Sequence, residues 1–146
     1  MGQSVHFSSE TNEWATPQAL FDRLDAKWRF DLDVCATPEN AKCSRYFTAL
    51  EDGLAQTWAP HTCWMNPPYG RAIKHWIKKA YEESLQGATV VCLIPSRTDT
   101  SYWHDYVMKG EVEFIRGRLR FGDATNSAPF PSAIVVFRSS ILSNGV

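Results

Sequence analysis

Apolar positions along the chain change period from segment to segment. Leu20, Phe21, Leu24 and Trp28 recur at roughly helical spacing. Thr16-Pro17 just ahead of them is a helix start, with Thr as N-cap and Pro at the first helical position. Phe30 to Ala36 reads as a first strand, broken by Thr37-Pro38, and Glu39 to Tyr46 reads as a short helix. Glu51-Asp52-Gly53 is a turn signal. Cys63-Trp64-Met65 is a second short apolar run, stopped at once by Asn66-Pro67-Pro68. From Arg71 to Leu85 the pattern returns to a helix, with Ile73, Trp76, Ile77, Ala80 and Tyr81 on one face and Gly87 closing it. Thr89 to Ile94 is almost continuously apolar, as in a strand covered on both faces, and Pro95-Ser96 ends it. Thr100 to Met108 reads as a helix, and Val112 to Phe121 and Ala133 to Phe137 as the last strands.

Strands alternating with helices predict an α/β fold, a mostly parallel sheet with helices on both faces. In such sheets ligands sit beyond the carboxyl ends of the strands. Asp33, Asn66 and Pro95-Ser96 all fall at or near those ends. The chain of 146 residues suits one domain. It is expected over residues 14–138, with a polar, flexible segment 1–13 before it and a tail 139–146 after it.

A hydrophobic fraction of 44% excludes a disordered chain. The formal net charge of −1 excludes a general electrostatic DNA clamp, so any nucleic-acid contact must rest on local patches. Of the four cysteines, none forms a C-x-x-C pair, so no metal is expected, and reduced thiols in a cytosolic protein are the plainer reading. No secretory or membrane-spanning run is present, and His6 stands where a myristoylation signal wants Ser or Thr. A cytoplasmic protein is expected.

The chemistry-bearing motif is Asn66-Pro67-Pro68-Tyr69. At average residue frequencies a chain this long carries that tetrapeptide by chance in roughly one case in two thousand, so a plain Pro-Pro turn is the weaker reading. An exocyclic adenine amine is a poor nucleophile because its lone pair is delocalised into the ring. Two acceptors around it can bond both N–H groups and favour a pyramidal nitrogen. Asn66 offers a side-chain carbonyl and Pro67 a backbone carbonyl, on a segment that Pro67 and Pro68 hold rigid. Tyr69 offers a flat face for stacking the base, which must leave a duplex to reach such a pocket. The methyl donor for this reaction is a sulfonium, and in-line placement provides much of the rate.

The motif does not stand alone. Glu13-Trp14-Ala15-Thr16-Pro17, Asp33-Val34-Cys35-Ala36 with Asn40-Ala41-Lys42, Asp52-Gly53-Leu54 with Trp58, and Arg116 to Phe121 accompany it. With these segments the chain resembles the small phage-type DNA N6-adenine methyltransferases, the Dam-like family, over nearly everything from Glu13 to Phe137. The resemblance implies a single-domain Rossmann-like methyltransferase fold, S-adenosylmethionine as donor, adenine in DNA as acceptor, and the host cytoplasm as the place of a phage enzyme. It implies that Asp33 is the strand-end acid of the donor site, with Cys35 and Ala36 lining the turn after it. Asp52 then meets the donor's adenine amine, and Thr16-Pro17 is the donor-side segment before the first strand. One departure stands out: no glycine lies between Phe30 and Glu51, so the usual G-x-G turn is missing and Thr37 to Asn40 must cradle the donor instead.

Arg71, Lys74 and Lys78 form a basic stripe beside the motif, and Arg116, Arg118 and Arg120 alternate with Ile115, Leu119 and Phe121. Either group could meet phosphates, and solvated surface charge is the bland alternative. The loops Arg97 to Trp103 and Gly122 to Phe130 are the expected readers of the target, although Trp103 fits a core position better. Competing functions are methylation of RNA adenine or a protein glutamine amide, and an inactive methyltransferase-like fold that only binds nucleic acid, suggested by the missing glycines.

Overall fold

The computed structural model describes residues 14–122 and 126–139. The expected segment 1–13, most of the tail 139–146 and part of the Gly122 to Phe130 loop lie outside the described residues. Helix α1 spans Gln18–Trp28 and helix α2 Ile73–Leu85; the short α3 is Ser101–Asp105. The strands are β1 Leu32–Asp33, β2 Thr62–Met65, β3 Thr89–Pro95, β4 Glu111–Phe114 and β5 Ser132–Phe137. Single 3-10 turns lie at Gly53–Ala55 and Val107–Lys109.

These strands form one five-stranded sheet in the order β1-β2-β3-β5-β4. Pairing is parallel for β1 with β2 and β2 with β3, and antiparallel for β3 with β5 and β5 with β4. The expectation of a mostly parallel sheet is therefore corrected to a mixed one. The parallel half keeps the expected continuous burial: β3 is buried from Val90 to Pro95. β5 is buried along its whole length because it lies between β3 and β4. Phe21 of α1 meets Trp64 edge-on, and Tyr81 of α2 meets Phe137 in the same way. Trp64 is in register with Val91 and Val136, neighbours of Val90 and Phe137, so the two rings leave opposite faces of the sheet. Helices thus cover both faces.

Most elements start and stop where local chemistry says. α2 buries Ile73, Trp76, Ile77 and Ala80, and the chain leaves it through Gly87 at φ 114°, with the Ala88 N–H returning to the Glu83 carbonyl. α1 begins one position later than expected. Pro17 is its N-cap in extended conformation and not its first helical residue, and no side chain caps it.

Four expected extents fail. The first strand, expected over Phe30 to Ala36, is only Leu32–Asp33. Residues 39–45 form no helix and Tyr46 bridges Asp33, because the chain there is tied to β1: the Arg45 carbonyl accepts from the Asp33 N–H, and the Asp33 carbonyl accepts from the Phe47 N–H. The last-but-one strand ends at Phe114 and does not run to Phe121. Its partner β5 starts at Ser132, whose carbonyl takes the Ile115 N–H, so no ladder is left beyond that point, and Gly117 turns the chain at φ 76°. The helix expected over 100–108 breaks at Tyr106 into α3 and a 3-10 turn.

Candidate functional site

A cavity of about 730 Å³ opens beyond the carboxyl ends of β1 and β2. Its lining includes Thr16, Asp33, Cys35, Ala36, Asn40 and Asp52 from the expected donor set and Asn66, Pro67 and Pro68 from the motif. Pro17, Tyr69 and the basic residues Arg71, Lys74, Lys78 and Arg118 do not line it. Asp33 and Asn66 therefore meet in one pocket because adjacent parallel strands end side by side, and Thr16, 50 positions before Asn66, joins them from the segment ahead of α1.

On the β1 side, Asp33 is 3% exposed. Its carboxylate accepts from the Cys35 N–H at 3.2 Å and the Lys42 N–H at 3.0 Å, which folds the whole 35–42 loop around one side chain. Burial pushes the Asp33 carboxyl up to about 6, against the lowering effect of those two N–H groups. Within the loop, Thr37 and Asn40 close a reciprocal box: the Thr37 N–H donates to Asn40 Oδ1 at 2.7 Å and the Asn40 N–H to Thr37 Oγ1 at 3.2 Å. Side-chain oxygens thus organise a turn in which no glycine occurs.

Asp52 has left-handed φ 59°, is exposed, and accepts from the Leu54 N–H at 3.2 Å. The next residue must be small. A Cβ on Gly53 would fall 2.2 Å from the Val34 carbonyl oxygen and 3.0 Å from the Trp76 ring. This close approach sets the Asp52 turn against the end of β1. Trp58 secures it, donating its indole N–H to the Gly53 carbonyl at 2.8 Å. The Trp58 and Ala59 N–H groups in turn donate to Glu83 Oε1 of α2 at 2.7 and 3.0 Å, while Lys79 pairs with the other oxygen at 3.1 Å.

On the β2 side, Asn66 is held at every polar atom of its amide. Nδ2 donates to the Trp14 carbonyl and to Thr16 Oγ1, the latter at 2.9 Å. Oδ1 accepts from the Tyr69 hydroxyl at 3.1 Å. The Trp14 carbonyl can only accept, so it fixes which end of the amide faces it. The single Tyr69 hydroxyl proton is shared between Asn66 Oδ1 and the Leu93 carbonyl, which lies at 3.0 Å, and burial keeps the phenol well above its usual range, hence protonated. Its ring is 4% exposed and is met edge-on by Phe121 and Phe130. The open stacking face expected of Tyr69 is absent from this arrangement; the side chain braces Asn66 from below.

Among the basic residues, Arg71 lies in the turn before α2 and not on the helix, while Lys74 and Lys78 are exposed one turn apart on it. Arg116, Arg118 and Arg120 are exposed on irregular chain, not on a strand face, and Arg118 reaches the Ala128 carbonyl at 3.4 Å. Trp103 is buried and stacked on Phe114, as its helical spacing suggested. Among the described residues no group of His, Cys, Asp and Glu is placed to hold a metal ion, and no helix is long and apolar enough to cross a membrane.

Comparison with known proteins identifies the family to which this geometry belongs. The model of the DNA N-6-adenine-methyltransferase (Dam) family matches residues 3–141. The chain belongs to that family. Its similarity to the DNA N-6-adenine-methyltransferase of Haemophilus phage HP1 (strain HP1c1) is 29% identity over 147 residues, covering 94% of this chain and 84% of that protein. Similarity to the DNA N-6-adenine-methyltransferase of Escherichia phage T1 is 28% over 104 residues, 70% of this chain and 43% of that protein. The suspected phage Dam-like kinship is therefore established, and with it membership of a family of enzymes that methylate DNA adenine.

Several contacts of this candidate site cannot be read from residue type. Trp14 acts through a backbone carbonyl and Lys42 through a backbone N–H, which any residue type could provide. Glu83 reads as an ordinary helix-surface acid until the fold puts Trp58 and Ala59 over it. Leu50, 93% exposed yet lining the cavity, is a better clue, since a large apolar side chain left open beside a pocket wants an apolar partner.

Proposed function

We propose that the cavity binds S-adenosylmethionine on its β1 side and a DNA adenine on its β2 side, and that the protein transfers a methyl group to adenine N6. The observation that carries this reading is the convergence of Asp33, Asp52 and Asn66-Pro67-Pro68 on one pocket. The pocket's volume lies within the range typical of small-molecule sites, and its walls fit the donor in kind. Val34, Ala36, Phe47 and Leu50 are apolar surface for a purine, with Asp52 as acceptor for its amine, while the Cys35 to Asn40 loop would hold the amino-acid end. That loop, built on Asp33, does what a Gly-rich turn does elsewhere, which weighs against an inactive binding module. When bound, S-adenosylmethionine supplies an electrophilic methyl group on a sulfonium. We read the mixed sheet as a Rossmann-like variant, with its ligands beyond the parallel strand ends.

On the acceptor side, Asn66 Oδ1 and the Pro67 carbonyl bond the two N6 hydrogens and localise the nitrogen lone pair. Tyr69 holds the Asn66 oxygen in place. Because N6 of a paired adenine is engaged in the duplex, the base leaves the stack to reach these groups. Family and relatives favour DNA adenine over RNA adenine or a glutamine amide as acceptor.

The test is incubation with donor and mixed-sequence DNA, followed by nucleoside mass spectrometry. N6-methyladenine is expected from the wild type. Asn66→Ala should lower the rate by about two to three orders of magnitude with donor affinity near normal. Tyr69→Phe, which keeps the ring and loses the brace, should lower it by about tenfold. Another methylated nucleoside, or an Asn66→Ala protein that methylates adenine at the wild-type rate, would overturn the reading.

A further inference from the structure

The segment before α1 contributes more to the site than a pocket wall. Both hydrogens of the Asn66 amide are used by that segment, one by the Trp14 carbonyl and one by Thr16 Oγ1 at 2.9 Å. Thr16 is 7% exposed, so water does not compete freely for this hydroxyl. A side-chain amide can turn end over end at little intrinsic cost. If Asn66 did so, its NH2 would face the Tyr69 hydroxyl, and a donor would stand where the proposed reaction needs an acceptor. The neighbouring segment could not correct this, because Asn66 follows β2 directly and Pro67-Pro68 fix the backbone on its other side.

We infer that Thr16 is a positioning residue of the methyl-transfer site: the Trp14 carbonyl selects which end of the Asn66 amide faces this segment, and the Thr16 hydroxyl takes the second amide hydrogen and holds the group in that orientation, with Oδ1 presented to the acceptor amine on the acceptor half of the cavity. This rests on the proposed role of Asn66, and it reassigns Thr16 from the donor side, where the resemblance had put it. The Trp14 carbonyl survives any side-chain change at either position, so loss of the Thr16 hydroxyl loosens the amide without releasing it. A partial effect on rate follows. Since Asn66 is proposed to touch the acceptor, the effect falls on kcat and not on donor affinity.

Thr16→Val removes the hydroxyl and keeps the shape, and Thr16→Ser restores the hydroxyl on a smaller side chain. With saturating donor and adenine-containing duplex DNA, Thr16→Val should lower kcat by about tenfold, the worth of one lost hydrogen bond, while Thr16→Ser should return to within about threefold of wild type. Donor affinity by calorimetry should stay within about twofold for both. A Thr16→Val protein whose donor affinity falls while kcat at saturation is unchanged would return Thr16 to the donor side and overturn the inference. So would one whose activity falls only in step with its folded fraction. A second readout does not need activity at all. In the nitrogen-proton NMR spectrum the Asn66 side-chain NH2, identified by its loss in Asn66→Ala, should be protected from exchange in the wild type. One of its two protons should lose protection in Thr16→Val and regain it in Thr16→Ser. If wild-type protein makes no N6-methyladenine yet shows this pattern, the proposed function fails and the lock stands. If it methylates adenine but the amide protons do not respond to Thr16, the lock alone fails.

Discussion

The Asp33 carboxylate is buried beneath the loop it organises, and its two oxygens take the N–H groups of Cys35 and Lys42. Desolvation outweighs those bonds and raises the carboxyl from an ordinary 3.8 to about 6. The sign of the consequence is fixed by linkage. Between about pH 4 and pH 6 the folded state holds a proton that the unfolded state has released, so stability contributed at this site falls as pH rises through that window and is level above it. About two pH units correspond to roughly 3 kcal/mol. Urea unfolding of wild type and Asp33→Asn at pH values from about 4 to 7.5 isolates the site, because all other titrating groups are common to both. The stability of wild type relative to Asp33→Asn should fall by about 2 kcal/mol between pH 4 and pH 6 and level off by about pH 7. A difference that rises with pH across the window would mean that the two N–H groups outweigh burial and that the carboxylate is ionised at lower pH.

At the scale of elements, the site depends on how closely the Gly53–Ala55 turn approaches β1. The Val34 carbonyl is backbone and Trp76 is packed against Trp58, so neither can yield to a Cβ on Gly53. Gly53→Ala must push the turn and β1 apart. The expected cost is about 1–3 kcal/mol, a fall of roughly 3–10 °C in thermal midpoint, together with weaker donor binding because Asp52 moves with the turn. Scanning calorimetry and donor titration check it, and an unchanged midpoint would show that the turn has slack. None of this close approach is visible in Asp52-Gly53 as a sequence, which announces a turn and nothing about its neighbour. The same limit explains what else was hidden. The face of α2 and the buried run of β3 were legible because burial writes a periodic pattern into the chain. Residues 39–46 carry helix-compatible side chains, but their path is dictated by Asp33 and by the backbone of β1, which are distant requirements. Phe114 to Phe121 keeps an alternation of apolar and basic residues, yet a strand needs a partner, and β5 offers none past Ser132. Asn66 was legible as a catalytic candidate, whereas its supports at Trp14 and Thr16 are set by tertiary geometry.

For the molecule as a whole, a formal charge of −1 means that no global field draws it to DNA, so the arrangement of charge must do so. The two ends of the molecule differ. Beside β4, cations are matched to acids: Arg23 with Glu113 at 3.4 Å and Arg138 with Glu111 at 2.7 Å. On α2, Lys79 is matched to Glu83, but Lys74 and Lys78 on the same helix and Arg71 in the turn before it are exposed and form no ion pair among the described residues. Arg71 follows Pro68, which lines the cavity, by three positions, so the unmatched charges start at the mouth of the site and continue along the helix. Lys74 and Lys78 are separated by one turn, roughly 6 Å along the axis, close to the spacing of successive phosphates on a strand. A DNA lying across this face would exchange bound counterions for these ammonium groups. Replacing Lys74 and Lys78 by Ala should therefore lower the slope of log affinity against log salt by about 0.9 for each phosphate no longer neutralised, with little change in sequence preference. Replacing Lys27, an exposed cation on α1, which packs on the opposite face of the sheet from α2, should leave the slope alone. Equal slopes for wild type and the Lys74/Lys78 double variant, measured by fluorescence anisotropy from about 50 to 200 mM salt, would return both lysines to solvated surface and move the DNA path to Arg97 or to the arginines after β4.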